Sequence, residues 1–290
     1  MGTSESKQSV TYEYPLTDKP WREPSNWNSQ VEQALIEDIK KIKPKSLVNI
    51  LLSGPVGAGK SSFISAIFTI CDGEKSTRAK TGGSGSSYTV KYSGYLPENL
   101  LENFVFRDTM GIEPSDGIGF HVDDFIYLVK GHIANNYTFN PASKITTDNK
   151  SFRKEPEPMD VISCVIFVIS AKDIYYGIPY DFIRKIGQLQ DNLRLEDIPR
   201  TLILTQADRL CDQVRENIKN MFRSKKIEKA VRTASEIFHI DQASIHPVVN
   251  YEVDYTLTPE NNIPLLLALK QSLKYANDRL KQIESAKKIR

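Results

Sequence analysis

The sequence is short of cysteine, of charge of one sign and of long apolar runs. Only three cysteines occur, Cys71, Cys164 and Cys211. An odd number, widely spaced, argues against a disulfide framework and fits reduced thiols in the cytosol. Lysine and arginine number 38 against 36 aspartate and glutamate, a net charge of +2. That balance leaves no electrostatic case for bulk nucleic-acid binding. The longest apolar run, Val161 to Ser170, is about half the length a membrane helix needs. The histidines, at 121, 132, 239 and 246, have no cysteine or histidine neighbours at metal-ligand spacing. The first twenty residues are polar, so no signal peptide is read there. What is present is a globular composition, 40% hydrophobic and 26% charged over 290 residues. It suits one large domain or two small ones and is too apolar for an intrinsically disordered chain.

Residues 1–44 are expected to form an N-terminal arm and helix that dock on a body of residues 45–290. Both tryptophans, Trp21 and Trp27, lie in the arm. Ser29-Gln30-Val31-Glu32 reads as a capping box, followed by Val31, Leu35, Ile39 and Ile42 on one helical face, with Pro44 as the stop. The run Leu47 to Leu52 reads as a buried strand, Ser61 to Cys71 as a helix, and residues 72–87 as an exposed loop. Tyr88 to Tyr92 and Phe104 to Phe106 read as strands, 118–133 as a helix. Further strands are expected at Val161 to Ile169, Thr201 to Leu204 and Ile245 to Val249, with helices at 179–191, 211–222 and 226–238 between them. Such alternation predicts an α/β fold with a mostly parallel central sheet. Residues 135–158 lack periodicity, and a loop that long is usually functional or mobile. In the last helix, 263–286, Leu266, Leu269, Leu273, Ala276, Leu280 and Ile283 form a short heptad seam. Packing on the parent domain is preferred over a coiled-coil dimer.

The strongest motif is Gly54-Pro55-Val56-Gly57-Ala58-Gly59-Lys60-Ser61-Ser62, a full G-x-x-x-x-G-K-[ST] match between a strand and a helix. The glycines let backbone N–H groups turn inward, and the helix N-terminus adds partial positive charge for phosphate oxygens. Lys60 would reach the β- and γ-phosphates, and Ser61 would hold Mg²⁺. Asp108, at the end of the next strand, can hold the metal through water, and Gly111 can offer its N–H to the γ-phosphate. Thr205-Gln206-Ala207-Asp208, again at a strand end, resembles the [NT]-K-x-D motif of GTP-binding proteins. Asp208 can accept from guanine N1–H and N2–H₂, a donor pair that adenine lacks. Gln206 replaces the usual lysine but can still pack flat on the base.

The order of these motifs predicts the three-layer fold of a P-loop GTPase. The finer text, with Asp108-Thr109-Met110-Gly111, Gly131-His132-Ile133, Tyr137-Thr138-Phe139-Asn140-Pro141 and His246-Pro247-Val248-Val249-Asn250-Tyr251, resembles the interferon-induced protein 44 family from about Trp21 to about residue 280. The resemblance implies a cytosolic GTP-binding protein of the innate immune response, and it places Asn250 and Tyr251 beside the base. It also implies relatives with an extra N-terminal domain that this chain is expected to lack. The metal-binding threonine of the first switch would be Thr77, Thr81, Ser86 or Ser87, and Arg78 and Lys80 in the same loop are read as a solvated basic stretch.

The expected ligands are GTP or GDP with Mg²⁺. Hydrolysis is expected to be slow, because Ile112 follows Gly111 where many small GTPases place a water-orienting glutamine. Glu113, Asp116 and His121 are nearby substitutes without a motif behind them, so self-association or a protein partner would have to supply acceleration. Val56 carries a side chain where an inserted arginine would approach. The alternatives are an ATP-using P-loop enzyme and a nucleotide-binding scaffold without turnover. No nucleic-acid partner is expected. Met1-Gly2-Thr3-Ser4-Glu5-Ser6 fits the N-myristoylation pattern, but no second membrane signal accompanies it, so membrane attachment is expected only if Gly2 is acylated.

Overall fold

A computed structural model describes residues 16–73, 91–97, 100–114, 121–251 and 256–289. Its centre is a six-stranded sheet in the order β2-β3-β1-β4-β5-β6. The strands are β1 (Val48–Ser53), β2 (Ser93–Tyr95), β3 (Phe104–Asp108), β4 (Ile162–Ser170), β5 (Arg200–Thr205) and β6 (Ile245–Pro247). All neighbours are parallel except β2, which runs antiparallel to β3 at one edge. β1 and β4 are buried along their whole length. A strand covered on both faces has no polar side to alternate with, which is why each reads as an unbroken apolar run.

The helices are α1 (Ser29–Lys40), α2 (Lys60–Asp72), α3 (Val122–Val129), α4 (Ala171–Tyr176), α5 (Tyr180–Leu195), α6 (Ala207–Leu210), α7 (Asp212–Glu216), α8 (Lys225–Phe238) and α9 (Pro259–Ile289). Helix α9 packs on β1, β4, β5 and α2, and α1 packs on α9; α5 packs on α3 and on α8 in a second group of helices. Leu266, Leu269, Leu273, Ala276 and Leu280 are buried in the core. The heptad seam of the last helix is therefore an intramolecular face.

Several local expectations shift. Helix α1 is capped by Asn28, whose side chain accepts from Val31 N–H at 3.0 Å, and not by Ser29. The expected helix over 211–222 is broken into α7 and a 3-10 turn, because Asn217 is extended (φ −149°) and its side chain caps the turn instead. Helix α3 stops at Val129 rather than 133, two residues before Gly131 at φ +85°. A side chain at Gly131 would meet Asp160 at 2.8–2.9 Å. Tyr92 lies outside a strand, one residue before β2; residues 88–90 lie outside the described part. The aperiodic segment 135–158 packs on the body through buried Tyr137, Phe139 and Ile145, and the Ile145 N–H donates to Asp124 in α3 at 2.8 Å.

The arm docks on the 3-10 turn and on β6. Trp21 and Trp27 set their rings edge-on to Phe222, and the Arg22 guanidinium donates to the Ile245 and Gln242 carbonyls. Beside it, His246 is 7% exposed and bonds Gln271 at 2.7 Å. Burial, helped by the Arg22 charge and opposed by the Gln271 bond, lowers its pKa from 6.5 to about 4. The folded chain thus keeps His246 neutral while the unfolded chain protonates it below 6.5. The associated stability is complete above pH 6.5 and is lost as pH falls toward 4, a loss of about 3 kcal/mol. Urea unfolding at pH 7, 6 and 5 should show this decline. His246→Gln, which takes up no proton, should flatten it over the same range; an equal decline in the variant would contradict the assignment.

Candidate functional site

The sheet order places β1 between β3 and β4, the point where chain connections leave in opposite directions and where open α/β sheets bind ligands. The loop 54–59 leaves β1 at this point and ends at the N-terminus of α2. Gly54, Gly57 and Gly59 all have positive φ, at +152°, +74° and +90°. Gly54 also admits no side chain, since a Cβ there would lie 2.0 Å from the Val168 carbonyl oxygen. Glycine is demanded by conformation and by contact at once.

The carbonyls of this loop are held by side chains from around it. Lys60, 7% exposed, donates to the Gly54 and Pro55 carbonyls at 3.1 and 3.0 Å. Thr205 donates its hydroxyl to the Ala58 carbonyl at 2.6 Å, and Asn250 its amide to the Gly59 carbonyl at 3.2 Å. Gln206, itself at φ +57°, reaches the Gly57 carbonyl with a long 3.5 Å contact. Its position beside the loop is the one the sequence comparison with [NT]-K-x-D assigned to a lysine. Burial lowers the pKa of Lys60, while Asp108 and Glu113 act in the opposite sense. A buried ammonium held by neutral carbonyls gains strongly from an anion placed against it.

Ser61 and Asp108 meet directly, the serine hydroxyl donating to the carboxylate at 2.6 Å. Two hard oxygen ligands from different elements converge there beside the loop, a donor set that suits Mg²⁺. Beyond Asp108, Thr109 donates to the Leu52 carbonyl at 2.9 Å, and the Ile112 N–H donates to the Gly54 carbonyl at 3.0 Å. Gly111 lies so close that a Cβ would come within 2.3 Å of Val56 Cγ2 and 2.6 Å of the Val56 nitrogen. The segment after Asp108 is thereby seated on the first half of the loop. Ile112 is fully buried, and the Glu113 carbonyl accepts from Lys185 Nζ of α5 at 2.9 Å.

Of the remaining candidates, Ser62 and Asp208 are half-buried in α2 and α6, and Val56 is 36% exposed on the loop. Tyr251 follows Asn250, and its hydroxyl donates to Asn262. His121 is occupied as the cap of α3, accepting from Asp123 N–H at 3.3 Å. Gly2, Thr77, Arg78, Lys80, Thr81, Ser86, Ser87 and Asp116 lie outside the described residues. Lys185 was missed by sequence reasoning. A single lysine in a helix carries no motif, and only the fold brings it to Glu113.

No family model matches the chain. Among curated proteins it is 30% identical over 257 residues to human interferon-induced protein 44-like, covering 86% of this chain and 57% of that one. It is 26% identical over 262 residues to human interferon-induced protein 44, covering 88% and 59%. The mouse interferon-induced protein 44 is 25% identical over 259 residues, covering 86% and 60%. The chain is a homologue of the interferon-induced protein 44 family. It spans under two thirds of the length of these relatives. Similar solved structures include Toc33 from Arabidopsis thaliana in complex with GDP and Mg²⁺ (15% identity, TM-score 0.45, covering 88% of this chain and 94% of that one) and a probable GTP-binding protein engB (14%, TM-score 0.38, covering 69% and 88%). At such scores the fold rests on the sheet order and on the strand–loop–helix unit of this chain. No helix among the described residues is long and apolar enough to cross a membrane, and no group of three or more of their His, Cys, Asp and Glu side chains is arranged to hold a metal ion.

Thr205 reads here as a brace of the loop. Thr205→Val keeps the shape but leaves the buried Ala58 carbonyl without its donor, which should cost about 1–3 kcal/mol in urea unfolding. An unchanged midpoint would show that the brace carries nothing.

Proposed function

We propose that this chain is a cytoplasmic P-loop protein of the interferon response that binds GTP and GDP with Mg²⁺. The observation that carries the reading is the loop 54–59, a positive-φ glycine turn between β1 and α2 whose Gly54, Pro55, Ala58 and Gly59 carbonyls are each bonded by a side chain, the backbone an anion-binding turn requires. Lys60 supplies the fixed cation for the phosphates. Ser61 and Asp108 would hold the metal ion, which when bound neutralises phosphate charge. The names of the homologous relatives support the interferon setting. Asp208 is the residue that favours guanine over adenine, since it accepts two N–H donors from one base and would face one acceptor and no matching pair on the other.

Turnover is slow in this reading. Ile112 can neither donate nor accept through its side chain, it is fully buried, and its N–H is committed to Gly54. No water-orienting group stands at that position, and intrinsic rates are on the order of 10⁻⁴ s⁻¹ even in proteins that have one. Acceleration then requires a second molecule, either another copy or a partner protein.

Three measurements test the reading. Calorimetry should show Mg²⁺-dependent binding of GTP and GDP but not ATP, weakened at least about a hundredfold in Lys60→Ala, since hydrogen bonds to charged groups contribute about 1.5–3 kcal/mol each. Asp208→Asn should lose GDP and accept xanthosine diphosphate, whose N1 side the asparagine amide matches. Single-turnover hydrolysis should rise with protein concentration. Unchanged GTP affinity in Lys60→Ala, or equal affinity for ATP and GTP, would defeat the proposal. A fast rate independent of concentration would defeat its account of turnover.

A further inference from the structure

A chain of side chains runs from the Gly59 end of the loop to the N-terminal helix. Asn250 is bonded to Gly59 of the loop, and the segment before it is tied to the loop carrying Asp208 through Ala207 N–H to the Val248 carbonyl, at 3.3 Å. The next residue, Tyr251, is half-buried, and its hydroxyl donates to the side-chain oxygen of Asn262, in the first turns of α9. Asn262 is 5% exposed, and its amide nitrogen donates to Glu32 of α1 at 2.5 Å.

The direction of this chain is set by chemistry. An ionised carboxylate only accepts, so Glu32 fixes which end of the Asn262 amide faces it. The reversed amide would set oxygen against oxygen. Asn262 then offers only an acceptor to Tyr251, whose hydroxyl must donate, and the ring is held in one orientation. The chain is not what attaches α1. That helix buries Leu35 and Ile39, and Asp38 pairs with Lys270 of α9 at 2.7 Å, about two turns along α9 from Asn262.

Resting on the nucleotide reading above, we propose that Glu32 and Asn262 are positioning residues that set the Tyr251 ring as the wall beside the nucleotide base. The N-terminal helix thereby takes part in base binding without touching the nucleotide. Phosphate binding, which rests on the P-loop and its braces, does not depend on Glu32 or Asn262.

The test compares GDP with pyrophosphate, both with Mg²⁺, by calorimetry on the full chain. Glu32→Ala and Asn262→Ala should weaken GDP about five- to tenfold, the scale of one or two lost hydrogen bonds, and leave pyrophosphate within about twofold. Glu32→Gln, which can still accept from Asn262 but no longer forces its direction, should bind GDP between the alanine variant and wild type. Thermal melting of each variant separates folding from binding. Unchanged GDP affinity in the alanine variants, or equal weakening of both ligands, overturns the proposal, because a merely structural contact predicts one or the other. Failure of wild type to bind GDP would overturn the nucleotide reading and the positioning role together, whereas failure of the positioning role alone shows only in the variants.

Discussion

The structure depends on one constraint: four carbonyls of the loop 54–59 are each held by a side chain. Lys60 takes those of Gly54 and Pro55, Thr205 that of Ala58, and Asn250 that of Gly59. Tying these carbonyls leaves other N–H groups of the turn available to an anion, which is what an anion cradle requires. The donors come from α2, from the end of β5 and from the segment after β6. Assembling the parallel sheet is therefore what assembles the cradle.

The same carbonyl of Gly54 also receives the Ile112 N–H, so the segment after Asp108 is tied to the cradle it would respond to. Gly111 against Val56 closes the contact. In the proposed nucleotide reading, binding and response would share these atoms, and the apolar, buried Ile112 would leave the orienting of an attacking water to a second molecule.

The central strands and the P-loop were legible because their signals are local. β1 and β4 are runs buried on both faces, and the loop is a contiguous motif. Errors fell where a single polar side chain decides. Asn28 outcompetes Ser29 as a cap, and Asn217 splits a region whose apolar spacing looks helical. Helix α4 was missed because it follows β4 without a break, although Ser170-Ala171-Lys172-Asp173 is a capping pattern and the Ser170 side chain does accept from Asp173 N–H. Thr205, Gln206 and Asn250 were placed at the site, but their role as loop braces was not readable from composition or spacing. Glu32 and Asn262 are far apart in sequence and share no motif, so only the packing of α1 on α9 brings them together.

The account is tested most directly by hydrogen exchange of the backbone amides with and without GDP and Mg²⁺. If the cradle is the phosphate site, protection should concentrate on residues 56–62, with smaller gains at 205–208 and 250–251. Unchanged exchange across 56–62 at saturating GDP, or protection confined to another region, would contradict it.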